Sequence, residues 1–91
     1  MQVDYKKKFE KDISKIRLQS VSDEVLKNIL AVKECRSLVD FINLPNVTKL
    51  VGYDNYYRIK FGDYRIGVEV VDDVIHFSRF STRSKIYDIF P

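Results

Sequence analysis

Four cations and one tyrosine stand at spacings that a fold can turn into a site. In the stretch Tyr56–Phe80, YYRIKFGDYRIGVEVVDDVIHFSRF, the cations Arg58, Lys60 and Arg65 take the polar positions of alternating segments. Further on, Arg83 and Tyr87 lie four apart in TRSKIY, a spacing that places two side chains on one helix face. Guanidinium and ammonium groups held close together bind anions and stabilise negative charge. Whether they act together depends on the backbone that positions them.

The positioning device is a three-strand meander. Tyr57–Phe61 alternates, with Tyr57, Ile59 and Phe61 on one side and Arg58 and Lys60 on the other. Gly62-Asp63 interrupts, and glycine accepts the positive φ that two-residue hairpin loops require. Tyr64–Val71 alternates again, Asp72-Asp73 marks a second turn, and Val74–Phe80 supplies a third strand. A two-residue loop pairs Phe61 with Tyr64, Lys60 with Arg65, Ile59 with Ile66 and Arg58 with Gly67. Opposed residues share a face, so Arg58, Lys60 and Arg65 form a basic cluster opposite an apolar face. Opposed like charges cost up to about 1 kcal/mol per pair. The cluster is therefore either a solvated outer face or a place where an anion sits, beside a glycine that fills no space.

The rest of the chain bounds the answer. Ninety-one residues make a single domain, residues 1–91. The net charge of +3 permits a nucleic-acid or acidic-protein partner without demanding one. Its excess lies in residues 1–17, among Lys6, Lys7, Lys8, Lys11, Lys15 and Arg17. A basic site in the second half must therefore come from arrangement, not abundance. Cys35 is alone, so no internal disulfide forms, and it reads as a small buried apolar residue. His76 is the only histidine; the second hairpin opposes it to Glu69 in a structural role. One His and one Cys are too few for the usual metal clusters, and no phosphate-binding glycine loop or Ser/His/Asp triad is present. No cofactor is expected. No run reaches the roughly 20 apolar residues of a membrane span, and the start lacks a signal-peptide core. A cytoplasmic protein is the simplest expectation.

Read in order, Gln2–Tyr5 is a short strand. Phe9, Ile13 and Ile16 mark an amphipathic helix over about residues 8–17, with Lys11 and Lys15 solvated or serving as a phosphate-contacting arm. Ser22 is an N-cap candidate for a second helix whose stripe is Val25, Ile29 and Val32. Arg36 would fall in that stripe, so the helix ends near Cys35. Ser37 caps a short turn carrying Leu38, Phe41 and Ile42, and Pro45 and Asn46 stop it. Residues 43–55 read as a connection with a turn at Gly52. Ile86, Ile89 and Phe90 anchor one or two helical turns at the C-terminus. The expected fold is α+β: two N-terminal helices packed on a small antiparallel sheet, in the order β-α-α-β-β-β plus a short C-terminal helical turn.

YYRIKFGDYRIGVEV, followed by a strand and TRSKIYDIFP, resembles the RelE/ParE family of bacterial toxins over nearly the whole chain. The resemblance implies a toxin that cleaves mRNA in the ribosomal A site. The RNA's own 2′-OH attacks the adjacent phosphate, without a metal, and a cognate antitoxin protein covers the toxin. Arg58 and Lys60 match the family's basic pair on the first central strand, Arg65 the arginine of the second. Arg83 and Tyr87 match the terminal Arg and Tyr. These five are the catalytic candidates. Arg79, Lys85, Lys6 and Lys7 are candidates for binding the RNA.

Two departures qualify the match. Many relatives carry His immediately before the terminal Arg, or a further Arg two residues before it; Thr82 and Ser81 hold those places here. Arg79, two residues earlier still, would enter the site only through a bulge. Arg58, where some relatives have Lys, is a poorer proton acceptor. The resemblance leaves two other outcomes open: a ParE-like inhibitor of DNA gyrase, or a member without activity that only binds its antitoxin.

Overall fold

A five-stranded sheet carries three helices on one face and the C-terminal helix on the other. The computed structural model describes all 91 residues. The elements are β1 (Gln2–Tyr5), α1 (Lys7–Ser14), α2 (Gln19–Glu34), α3 (Leu38–Ile42), β2 (Val47–Lys49), β3 (Tyr56–Phe61), β4 (Tyr64–Val71), β5 (Val74–Thr82) and α4 (Ile86–Ile89). The strand order is β1-β5-β4-β3-β2.

The central hairpin has the register that its loop predicts. Phe61 faces Tyr64, Lys60 faces Arg65, Ile59 faces Ile66 and Arg58 faces Gly67. Gly62 takes φ 52°, and at the second turn Asp72 and Asp73 sit at φ 51° and 63°. That second pair suits a tight hairpin with positive φ at both positions, a conformation aspartate tolerates better than most residues.

The α+β expectation holds, with four differences in detail. The sheet is mixed, because β1 runs parallel to β5 through Val3–Ile75 and its neighbours. The expected connection over 43–55 contains β2, which pairs with Tyr57–Ile59; three residues are too few to show an alternation. The first helix ends at Ser14, not Arg17. The second starts at Gln19 with Leu18 as N-cap, so Ser22 lies inside it. Val21, half-buried against the core, extends the apolar stripe one turn earlier and outweighs the cap preference of Ser22. Ser37 does cap α3, accepting a hydrogen bond from the Asp40 N–H.

The core lies between α1–α3 and the inner face of the sheet. Phe9, Val25, Ile29, Val32 and Phe41 from the helices meet Tyr57, Ile59, Ile66, Val68, Ile75 and Phe77. A β-bulge decides how the last strand fits. Arg79 faces Gly67 and Phe77 faces Val68, leaving Ser78 as the extra residue. Its hydroxyl donates to the His76 carbonyl at 3.1 Å. Strict alternation would turn Phe77 and Phe80 to opposite faces; the bulge brings both into the core.

On the outer face, Ile86 and Phe90 of the C-terminal segment pack with Leu50 in a second apolar cluster. The Phe90 ring lies directly over Gly67, where a Cβ would stand 2.5 Å from its carbons. The empty space beside the cations is therefore filled by an aromatic ring of the chain itself.

One polar cross-link on this face carries a pH signature. The Lys6 ammonium donates to Glu69 at 2.7 Å, and Asn55 donates to the same carboxylate. The hydrogen bond from Lys6 is the main cause that holds the Glu69 carboxyl below its ordinary pKa. A lowered carboxyl pKa stabilises the fold above that range and loses the contribution as pH falls through it. Glu69→Gln is expected to cost no more than about 1 kcal/mol at neutral pH, since Lys6 is largely exposed. In thermal melts the gap between variant and wild type should close as the pH falls below the ordinary glutamate range.

Candidate active site

The outer face of the sheet is laid out in rows across the strands. Lys60, Arg65 and Ser81 form one row; Arg58, Gly67 and Arg79 form the next; Tyr56, Glu69 and His76 form a third, with Asp4 beyond. The first two rows hold the cations and the third the acids. The register that sends Phe61, Ile59 and Ile66 inward sends Arg58, Lys60 and Arg65 outward.

Each candidate has a definite setting. Lys60 is exposed and directly opposite Arg65. Arg65 is half-buried, and its guanidinium donates to the Gly62 and Tyr64 carbonyls at 2.9 and 2.8 Å. Those bonds aim it at the end of the sheet. The Arg83 backbone N–H donates to the Asp63 carbonyl at 2.8 Å, tying the end of β5 to the same turn. The exposed Arg83 side chain starts from that anchor. Arg58 lies under the Tyr87 ring, its guanidinium carbon 4.8 Å from the ring centre. Tyr87 is 66% exposed, so its other face is free. Gly67 and α4 together make that contact: with Phe90 on Gly67, α4 lies across the sheet and Tyr87 meets Arg58.

The ion pairs of the chain are Lys6–Glu69, Lys27–Glu24, His76–Asp4 and Arg79–Asp12. Arg58, Lys60, Arg65 and Arg83 have no carboxylate within pairing distance. The positive charge of the cluster is left for a ligand.

The RNA-binding candidates divide. Lys85 is exposed two residues after Arg83. Arg79 shares the outer face but not the cluster. Its guanidinium is bidentate to Asp12 of α1 at 2.8 and 3.2 Å, and that hydrogen bonding raises its pKa. The bulge that admits Arg79 to the face also directs it over the free edge of β5. Lys6 is engaged by Glu69, four residues along β4 from Arg65, or about 13 Å. Lys7 is exposed at the start of α1, in a cleft it shares with Lys6, Tyr56, Arg79 and Phe90. His76 faces Glu69 as expected. No group of three or more His, Cys, Asp or Glu side chains is placed to hold a metal ion, and no helix is long and apolar enough to cross a membrane.

One positioning residue was not legible in the sequence. Asp12 binds Arg79 and also accepts from the Phe80 N–H at 3.0 Å. It fixes the last turn of α1 to the strand that leads to Arg83. Asp12→Ala is expected to cost about 2–3 kcal/mol, because it removes three hydrogen bonds to a carboxylate, two of them from a guanidinium. Chemical denaturation of the variant measures this. Phe90, expected as an anchor of the C-terminal turn, does anchor it, and the surface it anchors to is Gly67.

Comparison with known proteins decides the family. The family model described as the ParE toxin of type II toxin–antitoxin systems, parDE, matches residues 3–87. Toxin RelE3 of Methanocaldococcus jannaschii is 42% identical over 93 aligned positions that span all of both chains. The chain belongs to the RelE/ParE family of toxins. Solved structures agree with this RelE/ParE fold. The RelB-RelE antitoxin–toxin complex of Methanococcus jannaschii matches with a TM-score of 0.77 and 37% identity. The match covers 97% of this chain and 99% of that one. The archaeal RelE-RelB complex of Pyrococcus horikoshii OT3 shares the fold alone, with a TM-score of 0.71 at 22% identity. That match covers 92% of this chain and 96% of the other.

Proposed function

We propose that this RelE/ParE toxin is an endoribonuclease that cuts mRNA in the ribosomal A site and is held in check by a RelB-type antitoxin. The observation that carries the reading is the unpaired Arg58/Lys60/Arg65/Arg83 cluster beside Tyr87. In this reading the 2′-oxygen attacks the neighbouring phosphorus and the 5′-oxygen of the next nucleotide leaves. The products are a 2′,3′-cyclic phosphate and a 5′-OH. The transition state carries extra negative charge on the phosphorane, which preorganised cations stabilise more than they stabilise the ground state.

Arg65, already aimed by two carbonyls, and Arg58, aimed by Tyr87, clamp the non-bridging oxygens. Lys60, opposite Arg65, lowers the pKa of the 2′-OH and stabilises the attacking oxygen as its proton passes to solvent water. Arg83 stabilises charge on the leaving oxygen. Tyr87 offers its free face to a base, a stack worth roughly 1–3 kcal/mol, or its hydroxyl to the leaving oxygen. With Ser81 and Thr82 in place of further basic groups, the Tyr87 hydroxyl delivers the proton to the 5′-oxygen while Arg83 stabilises the charge there. An acidic antitoxin segment over the cluster would block RNA by occupying the same charges.

A second reading, inhibition of DNA gyrase without cleavage, draws on the ParE description of the family. It predicts DNA damage on expression, intact mRNA, and toxicity that survives substitution of the basic face. Mapping mRNA 5′ ends after induced expression separates the two. Cuts inside translated codons support the nuclease, and arrest without cuts excludes it.

A further inference from the structure

Beside the cluster, around the free edge of β5, lies an open cleft of about 700 Å³. β1 covers β5 only through Phe77, so the edge from Ser78 to Thr82 has no neighbouring strand. The α1–α2 connection forms the opposite wall. Lys15, Arg17 and Lys85 stand around it, all exposed and none within pairing distance of a carboxylate. The one acid in the wall, Asp12, is already neutralised by Arg79. Leu18, exposed, and the half-buried Tyr64 supply apolar surface.

The cleft continues the candidate active site. Ser81 lines it and is also the direct neighbour of Arg65 across the strands. Lys85, on its rim, is two residues from Arg83. A polyanion held at Arg65 and Arg83 passes over Ser81 into a cavity that is cationic at the rim and apolar within. Its volume lies in the range of sites that take one small molecule, roughly 300–1,000 Å³. A phosphorylated, planar group suits this combination, with the phosphate on the cations and the base on the apolar wall.

We propose that this cleft is a second RNA subsite. It holds the nucleotide flanking the cleaved bond, with that nucleotide's phosphate on Lys15, Arg17 and Lys85 and its base against Leu18 and Tyr64. The proposal rests on the ribonuclease reading and extends it from the scissile phosphate to its neighbour. The α1–α2 connection then sets the path of the RNA, apart from the residues that act on the bond.

The test is fluorescence anisotropy with a labelled single-stranded oligoribonucleotide, titrated at several salt concentrations. The triple variant Lys15→Gln/Arg17→Gln/Lys85→Gln is compared with Arg65→Gln/Arg83→Gln and with wild type. All three cleft positions are exposed, so thermal melts should be unchanged. The cleft variant should bind roughly tenfold more weakly at low salt, and its salt slope should fall by at least about 0.7, the single-strand value per phosphate contact. Unchanged affinity and slope, with binding weakened in the Arg65/Arg83 variant, would overturn the cleft proposal and leave the ribonuclease reading standing. If neither set of substitutions alters binding, the cleft proposal falls, and cleavage on translating ribosomes by wild type but not Arg65→Ala would keep the ribonuclease reading. A cleft variant that keeps RNA but loses an acidic antitoxin segment would assign the cleft to the antitoxin, and the proposal would also fall.

Discussion

Gly67→Ala is expected to destabilise the protein by about 2–3 kcal/mol, although it adds a single methyl group. The added Cβ would stand 2.5, 2.6 and 2.7 Å from three carbons of the Phe90 ring, and that ring is buried. Backbone strain is not involved, since Gly67 has an ordinary strand conformation and only Gly52 and Gly62 take positive φ. The whole cost comes from displacing Phe90 from the face of the sheet. In a domain of this size the loss lowers Tm by about 4–8 °C for each kcal/mol. A double-mutant cycle identifies the cause. In a Phe90→Ala background the same methyl has room, so Gly67→Ala should become nearly neutral, with a coupling energy close to its single-variant cost. Equal costs in both backgrounds would show that the glycine serves something other than Phe90. The variant also bears on function. With Phe90 unseated, α4 leaves the sheet, Tyr87 leaves Arg58, and cleavage should fall along with stability.

Arg65→Ala is expected to lower the rate of RNA cleavage by about 10²–10³-fold, the usual effect of removing one preorganised donor from a developing oxyanion. Stability should change by no more than about 1 kcal/mol. The side chain lies on the outer face, donates only to two carbonyls at the sheet end, and directly opposes Lys60. Removing it even relieves one like-charge pair. Arg65→Lys keeps the charge but loses the planar fork, so it should recover only part of the rate. Measured against ribosomes programmed with a defined codon, the loss should fall mainly on kcat. An equal loss of rate and stability would instead mark Arg65 as a structural residue.

The two variants divide the site into what alternation reveals and what contact reveals. Alternation made the Arg58–Gly67 and Lys60–Arg65 pairings legible, because Gly62-Asp63 admits a two-residue loop and a one-residue slip would bury the cations. It also opposed His76 to Glu69. The bulge at Ser78 leaves no period to read, yet it sets where Arg79 goes and lets Phe77 and Phe80 share the core. β2 is too short to carry a pattern. The parallel pairing of β1 with β5 is a long-range choice that no local residue encodes. Ser22 was a reasonable N-cap by type, but Val21 had apolar surface to bury and α2 started earlier. Asp12 reads as an ordinary solvated acid of α1 until the fold places β5 beside it.

We propose that the unpaired cations on the outer face cut RNA. This is tested most directly with purified wild-type protein and Arg65→Ala on translating ribosomes, by mapping the 5′ ends of the message. Wild type should give 5′-OH ends within the A-site codon, matched by upstream 2′,3′-cyclic phosphates, and the variant should lose at least about 100-fold of the cleavage. Intact message with wild-type protein, or cleavage undiminished by Arg65→Ala, would contradict it.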